Sequence, residues 1–249
     1  MKNKLPEVVV FQEDENALNC RFKIPYSLGN EIAVKSIEYD LDDFKEKHTL
    51  IGNKRTSVGD VYFLHPYKDN TYVEQSVIEN YLFEEKIGLY VRVAALLGAK
   101  SIETNVSLEQ TCIYELGVDG KVSYKVVELG VDYKEKVEQN LSKICNVKEY
   151  HIQGEDFDLY KNLDEIYKMI KKYNLHHERS LINLIESRDN RESKVQLVAK
   201  NATTELTQEL NQLYELSAKL SSPVFSLSAG FTEKIKKINT IKISLHFEF

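Results

Sequence analysis

Residues 101 to 116, SIETNVSLEQTCIYEL, alternate: Ile102, Thr104, Val106, Leu108, Cys112, Tyr114 and Leu116 stand on one register, with mostly Glu, Asn, Ser and Thr on the other. A period of two belongs to a β-strand with one dry face and one wet face. Helical stepping would scatter the same apolar residues around an axis. About fifteen residues at roughly 3.3 Å each reach about 50 Å, against a usual strand length of roughly 3 to 10 residues. Such a strand needs a partner. Gly117-Val118-Asp119-Gly120 followed by Lys121 to Leu129 supplies one, an antiparallel return through an Asp-Gly turn.

The chain ends on the same pattern. Ile241, Ile243, Leu245, Phe247 and Phe249 alternate with Lys242, Ser244, His246 and Glu248, and Phe225, Leu227, Ala229 and Phe231 precede them across the basic tip TEKIKKIN. This reads as a second amphipathic hairpin that pins the last residues in a sheet. Upstream, EVVVF (7 to 11), CRFKI (20 to 24) and DVYFL (60 to 64) read as strands, with QEDENALN as a hairpin connection between the first two. EIAVKSIEYDLDDFKEKH fits strand by its β-branched content and helix by its spacing.

Tyr72 to Leu97 lacks Pro and carries Ile78, Leu82, Leu89, Val93 and Leu96 on one stripe, a long central helix stopped by Gly98. Tyr133, Val137, Leu141 and Ile144 define another helix, and KEYHIQ (148 to 153) a further strand. The pentapeptide ELGVD at 115 to 119 and again at 128 to 132 marks two exits from strands into turns. Past Gly154 the strand signal fades. Leu159, Leu163, Ile166, Ile170 and Tyr173 form one helical stripe, and Leu181, Leu184, Ile185 and Arg188 a second. Val195, Ala199, Ala202, Leu206, Leu210, Leu213, Ser217 and Leu220 form a longer third. The expected fold is α+β: a mainly antiparallel sheet with long amphipathic hairpins packed on a central helix, built from residues 1–154 and 223–249. Residues 155–222 are expected to form a helical hairpin or bundle inserted in it.

The chain has 249 residues, 42% hydrophobic and 29% charged, enough to bury a core without crosslinks. Its formal charge of -6 argues against a chain dedicated to nucleic acid, while leaving room for a local basic patch. Cys20, Cys112 and Cys145 are odd in number and widely spaced, which fits a reducing, cytoplasmic compartment rather than a disulfide framework or zinc site. The most apolar window, Ile87 to Leu97, contains Arg92 and is shorter than the roughly 20 residues of a spanning helix.

Candidate chemistry is sparse. Gly117 to Ser123 lacks the spacing and the following helix of a phosphate loop, and reads as a turn. His176-His177-Glu178 offers metal or acid-base groups without a convergent spacing, so it reads as a solvated helix connection. Cys145 with His151 would suit a thiolate nucleophile only if folding brought the two together. His65-Pro66-Tyr67 reads as a stiffened turn, Glu155, Asp156 and Asp158 as acids at a helix start, and Arg188 to Glu192 as a charged junction.

These readings lead to a non-enzymatic protein that self-associates or binds a protein partner without cofactor or metal. The expected contacts are the hairpin edges and a long helix face bearing Leu206, Leu210, Leu213 and Leu220. Two alternatives stand beside it. One is a pore-forming effector whose hairpins insert on oligomerisation, with Ile102, Val106, Leu108, Ile241, Ile243 and Leu245 toward lipid. The other is an enzyme built on His65, Cys145, His151, His176 and His177.

Overall fold

The structure, a computed structural model, describes residues 5–23, 31–52, 55–116, 122–127, 130–189, 197–205, 207–220 and 237–249. It is α+β, and its sheets are mostly antiparallel. The chain divides into two compact units, one of residues 1–79, 111–127 and 208–238, the other of residues 80–110, 128–207 and 239–249.

The first unit holds a five-stranded sheet in the order β2-β1-β4-β5-β3. Its strands are β1 (Val8–Gln12), β2 (Ile32–Ser36), β3 (Thr49–Ile51), β4 (Val61–Leu64) and β5 (Thr71–Glu74). β1 runs parallel to β2, and a parallel pair needs a crossover rather than a tight turn. The polar stretch after β1 is therefore not a hairpin connection. It opens α1 (Asp14–Lys23), with Asp14 and Glu15 at the positive end of the helix dipole and Ala17 and Cys20 one turn apart and buried. The expected strand CRFKI is thus helical through Lys23.

The ambiguous segment after β2 is both things in turn, since α2 (Leu41–Lys47) follows the strand. Tyr72 and Val73, expected in the long helix, lie in β5. Asn70 turns the chain at φ 52, and the run Thr-Tyr-Val is the β-branched and aromatic chemistry that strands favour. One face of this sheet is aromatic: Phe11 meets Phe44 of α2 and Tyr62 of β4 edge-to-face at 5.7 and 5.8 Å, with Val9 and Tyr72 in the same cluster. α7 (Thr207–Leu220) belongs to this unit, held by Gln212 donating to the Glu7 carboxylate at 2.9 Å and by the Lys219–Glu31 pair.

Through the second unit runs most of α3 (Ile78–Leu96), buried at Leu82, Phe83, Ile87, Tyr90 and Val93 as a central helix should be. Gly98 stops it in the left-handed region at φ 84, and a Cβ there would lie 2.6 Å from the Phe157 ring. β6 (Ser101–Leu116) is the long alternating strand. Ile102, Thr104, Val106 and Leu108 are buried, and from Thr111 onward the strand pairs antiparallel with β7 (Val122–Val127), as the expected hairpin requires. The turn itself lies outside the described residues.

α4 (Val131–Cys145) and β8 (Lys148–Tyr150) follow, and β8 pairs with the start of β6. The second ELGVD copy therefore leads into a helix rather than a turn. α5 (Leu159–Lys172) begins where Asp158 caps the amides of Tyr160 and Lys161 at 3.0 and 3.2 Å, and α6 (Arg179–Arg188) follows a 3-10 turn at Leu175–His177.

The expected third helix of the insertion begins too early. Residues Ala199–Glu205 form a strand, β9, paired antiparallel with β10 (Lys237–Glu248). Ala202 and Thr204 are buried while Asn201 and Thr203 are exposed, a period of two. The step of three from Ala199 to Ala202, read as one helix face, puts the two on opposite faces of the strand, Ala199 exposed and Ala202 buried. The second unit therefore runs unbroken over residues 128–207, across the expected boundary at Gly154. In β10, Ile241, Ile243, Leu245 and Phe247 are buried, as the alternation required, whereas residues 225–231 lie outside the described set. No described helix is long and apolar enough to cross a membrane.

Candidate functional site

A charge sits on the apolar stripe of α3. Lys86 lies one turn after Leu82 and two turns before Val93, and it is only 2% exposed. A buried ammonium requires a partner. Lys86 Nζ pairs with Glu178 Oε1 at 2.7 Å and donates to the main-chain carbonyl of Glu205. Glu178, the residue before α6, is buried as well. Its other oxygen, Oε2, accepts from the Tyr90 hydroxyl and from the Thr204 hydroxyl, each at 3.1 Å. Burial first, and the Glu178 charge second, raise the Tyr90 phenol above its ordinary pKa, so it stays a donor.

Three elements of the second unit, α3, the α6 entrance and β9, thus converge on one carboxylate. Both of its oxygens are occupied. A general base needs an accessible lone pair for a substrate proton, so this arrangement acts as an internal lock. His177 Nε2 stands 3.5 Å from Glu178 Oε1 at its half-exposed rim.

The remaining candidates are dispersed. His65 follows β4; its Nδ1 accepts the amides of Tyr67 and Lys68 at 2.9 and 3.1 Å, which assigns the ring proton to Nε2. Tyr67 is buried and donates its hydroxyl to Glu209 within the first unit. His151 lies 3.1 Å from Glu149, His176 is exposed, and the Cys145 side chain lies outside the described residues. Cys20 is on the buried face of α1, where burial pushes its thiol pKa up.

Of the helix-face residues, Leu213 and Leu220 are buried in the first unit, while Leu206 and the Leu210 side chain lie outside the described set. Ile102, Val106, Leu108, Ile241, Ile243 and Leu245, assigned toward lipid, are all buried. Lys86, Tyr90 and Thr204 escaped the sequence reading. The signal was present for Lys86 alone, as a charge in register with a buried stripe.

The sheet edges differ in how they are finished. Phe249 donates its amide to the Val198 carbonyl, so by alternation Leu197, Ala199, Asn201, Thr203 and Glu205 turn their main-chain groups away from β10. Side chains occupy three of those carbonyls: Arg188 Nη1 on Leu197 at 3.3 Å, Ser180 on Thr203 at 2.5 Å, and Lys86 on Glu205. Arg188 also donates to Leu97 at 3.1 Å and lies over the Phe249 ring. This is how a sheet keeps an edge from pairing.

β8 is finished otherwise. Tyr150 is 70% exposed and Ile152, two residues on, is 99% exposed, with the Lys148 ammonium 5.9 Å from the Tyr150 ring. Compared with protein-family models, with curated proteins and with solved structures, the chain matches none.

Proposed function

We propose that this is a non-enzymatic protein that associates with a second copy of itself through the outward side of β8 and the residues after it. The observation that carries the reading is Ile152, a large aliphatic side chain 99% exposed two residues past the short edge strand that ends at Tyr150. Scattered exposed apolar residues are ordinary, but an exposed aromatic at the end of an edge strand and an exposed aliphatic two residues on form a contact surface that closure would remove from water. The contrast with β9 supports it, since there three polar side chains cover the edge carbonyls. The saturated Glu178 carboxylate and the dispersal of His65, His151 and His176 favour binding over chemistry.

The helix face and the lipid-facing registers do not enter this reading: Leu213, Leu220 and the strand residues are buried, as the pore-forming alternative also requires before insertion. Size-exclusion chromatography with light scattering tests it. The expected mass rises with concentration toward twice 28.8 kDa, and Ile152→Asp holds the protein at one chain with its circular dichroism unchanged. A wild type that stays at a single chain's mass at every concentration would overturn self-association.

A further inference from the structure

We infer that the surface running from the last turns of α5 to the start of α6 binds single-stranded nucleic acid. In this acidic chain, residues 167 to 180 read YKMIKKYNLHHERS and contain one acid, Glu178. That acid is buried and already held by Lys86. Lys168, Lys171, Lys172 and Arg179 are exposed, and none makes an ion pair with a described residue. The stretch therefore presents four fixed positive charges, with His176 and His177 exposed between them.

The nearest acids on the same helix lie upstream: Glu165 is held by Arg92 at 3.1 Å, and Asp164 stands one turn before Lys168. The two lysines of the last turn also complement the helix dipole. That role accounts for Lys171 and Lys172, and leaves Lys168 and Arg179 without one.

A net charge of -6 does not forbid the contact, because charges separated by more than about 8 Å are largely screened at physiological salt. The apolar residues choose among polyanions. Met169, Ile170 and Leu175 are buried, so no aliphatic chain is left to enter a lipid layer. What remains outside has a π-face: Tyr167 is 42% exposed, Tyr173 is half-buried under Lys172 at 5.1 Å, and two imidazoles follow. Rings among unpaired cations are the combination on which bases stack while phosphates are neutralised. This surface shares no residue with β8 or Ile152, so the inference stands or falls apart from self-association.

Fluorescence anisotropy with labelled oligothymidylate and oligouridylate of about 16 nucleotides tests it on the full chain. Four cations at about 0.7 each give a slope of log K on log salt near -3, so binding weakens about 50-fold between roughly 50 and 200 mM salt. The double variant Lys171→Gln, Lys172→Gln is expected to halve that slope. Tyr167→Ala should weaken binding about 5-fold or more with the slope kept, since a lost stack removes no charge. All three positions are exposed, and circular dichroism of each variant checks that the fold is kept. Binding of both oligomers alike marks the shared backbone and bases, and a preference for oligouridylate marks the 2′-hydroxyl; either supports the inference. Three results would overturn it: no anisotropy change at low salt, equal slopes for wild type and double variant, or capture by phosphatidylserine vesicles with no oligonucleotide binding.

Discussion

At the scale of single residues, the pair Lys86–Glu178 concentrates the most consequence. Removing one member of a buried ion pair strands the other, at about 3 to 5 kcal/mol. Glu178→Gln is therefore expected to lower unfolding free energy by about that amount in urea titrations, while Glu149→Gln, in the exposed pair with His151, costs under about 1 kcal/mol. A second expectation concerns alkaline pH. Burial pushes the Tyr72 phenol up to about 12, and its hydroxyl donates to the Pro6 carbonyl at 2.8 Å. Unfolded, it ionises near 10. Stability from this group is complete below pH 10 and is lost as pH climbs from there through 12, because the unfolded chain then binds fewer protons. Tyr72→Phe should cost about 1 kcal/mol at neutral pH and flatten the decline above pH 10, as measured by denaturant midpoints across that range. Little of this was legible beforehand. A lysine in step with Leu82 and Val93 announces a buried partner, but nothing in the order of letters says that the partner lies at Glu178, because that meeting is made by three elements far apart in the chain.

Elements were legible where a period ran long. β6 kept its alternation from Ile102 to Leu108, where one face is buried, before Thr111 rather than Gln110 is the next buried residue, and α5 kept its stripe because Leu163, Ile166 and Ile170 fill a core. Short elements were misread where the deciding fact was non-local. α1 looked like a turn until the parallel pairing of β1 and β2 demanded a crossover, and β9 looked helical because Ala199 and Ala202 step by three. α7 carries the clearest expectation at this scale. Leu220 is fully buried, so Leu220→Ala should destabilise the fold by about 2 to 5 kcal/mol in thermal or urea unfolding, instead of merely weakening association as an exposed contact residue would.

For the whole molecule, the chain passes between its two units at 79/80, 110/111, 127/128, 207/208 and 238/239. No single cut separates them, and residues 155–222 divide between the two, with α5, α6 and β9 in the second unit and nearly all of α7 in the first. A chain in which a short linker replaces 155–222 is expected to be unfolded by circular dichroism and rapidly digested. A compact, protease-resistant product would show that the remainder folds alone. The uneven treatment of the sheet edges has a last consequence, for assembly. A sheet that can pair from both sides grows without limit, whereas one with a sealed side can pair once. With the Leu197, Thr203 and Glu205 carbonyls already engaged, copies joined through β8 would meet about a two-fold axis and stop. Arg188 and Ser180, which hold carbonyls of the β9 edge, would then decide whether crowding this protein yields closed pairs or fibres.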